Sequence, residues 1–151
     1  MTMIRHLVIA TLLCIGSCTR LDCNDWNSAG FFRKATAADV KRCLAAGANI
    51  EARSEFGGRT PLHLAVCGGN SDRASVLIKA GAEVNACAKG DSTPLHRAAR
   101  DGNAETVTAL IKAGADIRAK TNNGSLLAYL AEHNPKVRNH DIFQALNAAR
   151  R

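Results

Sequence analysis

Histidine and cysteine are the side chains here whose chemistry would matter most. The 151 residues hold five His and six Cys. Such a set could bind a metal, run thiol exchange, or supply a nucleophile and its base. The spacing argues against the first. His63 and His96 stand 33 residues apart inside the same four-letter word, Thr-Pro-Leu-His. Equivalent positions on neighbouring packed helices lie about 8–10 Å apart, too far for two imidazoles to share a zinc at about 2.0–2.1 Å each. His133 and His140 are seven apart near the C-terminus and are expected to face solvent. No metal site is expected. No Gly-x-Ser-x-Gly elbow occurs, and no Gly-Lys-Ser/Thr follows the paired glycines at 57, 58, 68 and 69. Carboxylates are scattered singly, mostly at helix starts such as Asp39, Asp72 and Glu105, where they favour the helix dipole. No catalytic residue, cofactor or small-molecule substrate is expected, and the chain reads as no enzyme.

The cysteines carry more information. Arg5 and His6 precede an apolar run from Leu7 to Ile15, followed by Gly16, Ser17 and Cys18. A basic start, an apolar stretch of about nine residues and small residues at a cut site form an export signal. A short buried helix is the competing reading. Ile15-Gly16-Ser17-Cys18 resembles a bacterial lipobox, which implies a lipid on Cys18 and attachment to a membrane; ordinary cleavage near Ser17 is the alternative. The expected location is the periplasm or outer membrane, or the exterior if no lipid is added. Loss of Arg5 takes the net charge from +7 to +6. Cys23, Cys43, Cys67 and Cys87 then remain, an even number in an oxidising compartment. Three pairings are open, and Cys43 reads equally as a packed thiol.

The elements that must position these residues come from a repeat. "TPLHLAVCGGN" from Thr60 aligns with "TPLHRAARDGN" from Thr93, and "ASVLIKAGAEVNA" with "VTALIKAGADIRA". The period is 33 residues. Thr60 and Thr93 can cap a helix, Pro61 and Pro94 fit its first turn, and Gly47, Gly81 and Gly114 suit its end. Leu44, Ile78 and Ile111, with Cys43, Leu77 and Leu110 beside them, are expected to be buried. Hydrophobic residues make up 46% and aromatics only 4%, so an aliphatic core is expected.

This period and signature resemble the ankyrin repeat family. The resemblance implies an all-α solenoid of about four helix-turn-helix units with short β-turn fingers: residues 27–56, 57–90, 91–123 and 124–151. The outer two are degenerate caps, and residues 1–17 and 18–26 are the signal and an anchor or linker. The first helix of the first unit is "NSAGFFRKA". In the last, "LLAYLAEHN" replaces the signature, Pro135 and Lys136 read as an insertion, and 141–149 as the final helix.

The resemblance also implies that the signature histidines are structural and that a partner protein binds across the fingers and first helices. The candidate binding residues are Arg53, Glu55, Phe56, Lys89, Arg97, Arg100 and Lys120, with Leu64, Cys67 and Asp101 on the same helices. A basic body could meet nucleic acid, anionic lipid or an acidic protein. No aromatics alternate with the basic residues, so no nucleic acid is expected. The expected function is an exported, lipid-anchored protein-binding scaffold. The alternative is a redox-responsive envelope protein acting through Cys23, Cys43, Cys67 and Cys87.

Overall fold

The computed structural model describes residues 21–149. The signal segment and Cys18 lie outside the described residues. Among the described residues nine α-helices follow one another: α1 Ala29–Lys34, α2 Ala37–Ala45, α3 Pro61–Ala65, α4 Ser71–Lys79, α5 Pro94–Asp101, α6 Ala104–Lys112, α7 Leu127–Glu132, α8 Pro135–Arg138 and α9 Ile142–Ala148. Among the described residues the sole β pairing is an isolated bridge between Lys120 and Leu126. No described helix is long and apolar enough to cross a membrane. Among the described residues the architecture is all-α, built from stacked helix pairs as the repeat implied.

The helices form two rows. The first helices stack as α1, α3, α5 and α7, and the second helices as α2, α4 and α6, with α9 closing that row. Leu62, Leu77, Leu95, Leu110, Leu127 and Leu146 fill the space between the rows. Cys43, Leu77 and Leu110 are buried as expected, but Leu44, Ile78 and Ile111 are only half-buried. Adjacent helix positions diverge by about 100°, so one of each pair points into the core and the other lies along its edge.

The signature builds the first helices directly. The Thr60 hydroxyl accepts from the His63 N–H, while His63 Nδ1 accepts from the Thr60 N–H at 3.2 Å. Thr93 and His96 repeat this capping box. Gly114, with φ of 93°, closes α6 in a conformation that strains any residue with a Cβ. It lets Ala115 N–H reach the Leu110 carbonyl at 3.0 Å.

The ends depart from the aliphatic expectation. Trp26, Phe31 and Phe32 are buried together, with ring centroids 5.2–5.6 Å apart. Trp26 Nε1 donates to the Asn49 carbonyl at 2.8 Å. Cys23 and Cys43 form a disulfide, which excludes the packed free thiol for Cys43, while Cys67 and Cys87 are free thiols, so a single bond stands where two were open. At the other end, Pro135 and Lys136 begin α8, a short helix inserted between α7 and α9. Asn134 caps it and is buried, donating to the carbonyls of Ala99 and Gly102 at 3.1 and 3.0 Å.

Candidate protein-binding surface

Fingers and first helices together line one face. Backbone bonds stitch the fingers in register: Lys89 N–H donates to the Gly57 carbonyl at 2.9 Å, and Asn122 N–H to Gly90 at 3.1 Å. The donors are 33 residues apart, and so are the acceptors. The finger row is therefore a rigid rim.

The sequence-selected residues divide into three groups. Arg53 is a staple: its guanidinium donates to the carbonyls of Gly58 at 3.0 Å and Cys87 at 2.6 Å, joining two fingers. Lys120 is exposed beside Leu126, at the last finger, and lines none of the clefts described here. The remaining five come together around a connected groove. Glu55 and Phe56 border a cleft of about 310 Å³ at its N-terminal end. Phe56 is 84% exposed, so its ring packs into no neighbouring finger. Lys89, Arg97 and Arg100 line clefts of about 490 and 230 Å³ between the later fingers. A further cleft of about 320 Å³ lies against α1 and α3.

Arg97 is the hub. It lines three of these clefts, donates from Nη2 to Cys67 Sγ at 3.1 Å, and pairs with Asp101 at 3.6 Å. Asp101 also receives Arg100 at 2.9 Å. Leu64, expected on the open face, is instead buried and forms the floor. Three basic groove residues were missed, Arg59, Arg33 and buried Arg73. Arg59 immediately precedes the Thr60 cap, where finger meets helix, and that position was readable. Arg33 lies on α1, which lacks the Thr-Pro start that sets the register elsewhere.

Burial controls the electrostatics underneath. His63 is pushed down to about 4, mainly by burial, with the cations of Arg53, Arg97 and Arg59 lowering it further against the Ser92 carbonyl. His96 is lowered by burial too. Both rings are thus neutral near pH 7, with Nδ1 the acceptor and the proton on Nε2. Buried Arg73 on α4 donates to the carbonyls of Phe32, Ala35 and Cys67, satisfying the end of α1. Among the described residues no three His, Cys, Asp or Glu side chains gather as a metal site.

A family profile described as ankyrin repeats, in three copies, matches residues 32–121, more than half of the chain. The chain belongs to the ankyrin repeat family. A search of curated proteins finds no match. Ankyrin repeats are generally scaffolds for protein–protein interaction, and the family is typically non-enzymatic. The matched span covers α2 to α6 and reaches into the last finger. The aromatic plug at Trp26 and the unit from α7 to α9 lie at its margins, where an ankyrin array must present one face to water.

Proposed function

We propose that this ankyrin protein is an exported, lipid-anchored module that binds another protein along its concave groove and catalyses no reaction. The observation that carries the binding face is the connected groove around Arg97, bordered by the rigid finger row and by exposed Phe56. Aromatic and Arg residues are the usual anchors of protein interfaces. Export is supported by the apolar segment before Cys18 and by the Cys23–Cys43 bond, since structural disulfides persist in oxidising compartments.

Two measurements test this reading. Mass spectrometry of the mature chain should find a lipid on Cys18; an intact Met1 rejects it. A photo-crosslinking residue at Phe56 or Arg100 should capture an envelope protein in cells, whereas one at Lys112, on the second-helix row, should not. Capture from Lys112 alone would move the site to the convex side.

The redox reading keeps one specific support: Arg97 holds the Cys67 sulfur within the groove. It requires that Cys67 and exposed Cys87 change state together. Thiol counts across a series of redox buffers decide it, and two thiols that never pair or exchange reject it.

A further inference from the structure

Resting on the protein-binding reading, we propose that the groove's occupant is an extended acidic segment of the partner, its carboxylates along Arg59, Lys89, Arg97 and Arg100 and an apolar residue beside Phe56.

The three basic clefts adjoin one another through shared lining residues. Arg97 lines all of them, Lys89 and Arg100 are shared by two, and Arg59 links the second to the third. No Asp or Glu lines any of the three. Asp101 is tied to Arg97 and Arg100.

The groove is also short of acceptors. Among the described residues, three buried side-chain nitrogens lack a hydrogen-bond partner: Arg73 Nε, His96 Nε2 and Arg97 Nε. All three belong to residues that line these clefts. Those nitrogens lie beneath the groove floor, and the excess of positive charge lining the clefts above them focuses a field that favours anions.

The far end differs. Phe56 and Leu64 share their cleft with Asp25 and Glu55. Phosphates would be repelled there, and the rings lining the basic clefts, Phe32, His63 and His96, are all buried and cannot stack on a base. Carboxylates grouped toward the C-terminal units, with an apolar residue at Phe56, match both ends. A polyanion of uniform charge matches only one.

The test uses the full chain and a fluorescent decaglutamate peptide, which probes the basic clefts and not the Phe56 end, read by anisotropy. Decaglutamate should bind, decaglutamine should not, and raising salt from about 50 to 300 mM should weaken binding several-fold. The triple change Arg59→Glu, Lys89→Glu, Arg100→Glu should reduce affinity by at least about tenfold. Lys41→Glu, Lys79→Glu, Lys112→Glu alters net charge equally on the second-helix row and should change it less than twofold. Decalysine should bind the first triple variant and not the unaltered chain, a gain that loss of folding cannot mimic. Equal losses from the two triple variants overturn the proposal, as does decaglutamine binding as well as decaglutamate. A decathymidine strand that binds more tightly than decaglutamate at the groove overturns it in favour of nucleic acid. If decaglutamate fails while crosslinks from Phe56 capture a protein, the acidic occupant is wrong and the protein-binding face stands. If decaglutamate binds the groove while no crosslink forms, the anion preference stands and the protein partner loses its support.

Discussion

His63 Nε2 donates to the carbonyl of Ser92 at 2.9 Å, tying one ankyrin unit to the next across 29 residues. Its counterpart His96 makes no such bond. The backbone carbonyls of Ala119 and Ser125 lie close enough to hold a proton on that ring against its burial, yet neither meets strict hydrogen-bond geometry. The joint between the second and third units is therefore closed by a histidine, and the joint to the last unit is not.

Stability should fall on acidification through the histidine range. The folded pKa of His63 is lowered, from 6.5 to about 4. Its contribution is thus fully present above pH 6.5 and is lost as pH falls toward 4, because the unfolded chain takes the proton first. The loss should be on the order of 2–3 kcal/mol. Denaturant midpoints across pH 4–7 measure it. His63→Asn keeps an acceptor for the cap and should flatten part of the slope; an unchanged slope would place the titration elsewhere.

Leu95→Ala should destabilise by about 2–5 kcal/mol, because Leu95 is fully buried between the helix rows. Urea unfolding followed by helical circular dichroism checks this. A loss below about 1 kcal/mol would contradict the packing.

Two glycines should fail for different reasons. Gly114→Val introduces no contact within 4 Å at Cβ, so its cost, about 1–3 kcal/mol, comes from the φ of 93°. Gly102→Ala has an ordinary φ of −92°, but its Cβ would lie 2.6 Å from the Ala98 carbonyl oxygen. Thermal melts should show Gly102→Ala losing stability although alanine suits its backbone. Replacing Gly114 by Asn, which tolerates positive φ, should recover part of the loss.

Removing the disulfide by Cys23→Ser with Cys43→Ala should cost about 2–4 kcal/mol. Reductant should lower the unfolding midpoint of the unaltered chain and leave that of the double variant unmoved. A midpoint insensitive to reductant in both would show that the bond contributes nothing.

Arg53→Ala and Phe56→Ala should separate structure from binding. Arg53 holds two finger carbonyls, so its loss should cost about 0.5–1.5 kcal/mol of stability. Phe56 touches little, so its loss should stay within about 0.5 kcal/mol while weakening a captured partner by more than about 1 kcal/mol. Calorimetric melts paired with partner titrations distinguish the two, and Lys112→Ala serves as the binding control.

What could be read in advance was what the chain encodes locally. Thr-Pro-Leu-His is cap, first turn, core and reciprocal cap in four consecutive residues, and Ala-Gly-Ala closes the next helix. The misses are features set by distant partners. The Cys23–Cys43 pairing depends on how α2 lies against the N-terminal segment. Arg53 became a staple because the Cys87 carbonyl is brought to it from another finger. Leu64 became floor because α1 and α5 flank it. The Asn134-Pro135 pair was local and readable, a cap residue followed by a first-turn proline, but the broken period hid it.

The Cys23–Cys43 bond also sets where a mechanical load would enter. Tension on the N-terminus reaches Cys23 before Trp26 or α1, and the sulfur bridge passes it straight to α2. The aromatic plug lies inside the bridged loop and is shielded from the pull. A chain tethered upstream of Cys23 would thus be loaded through a second-row helix rather than through its aromatic cap.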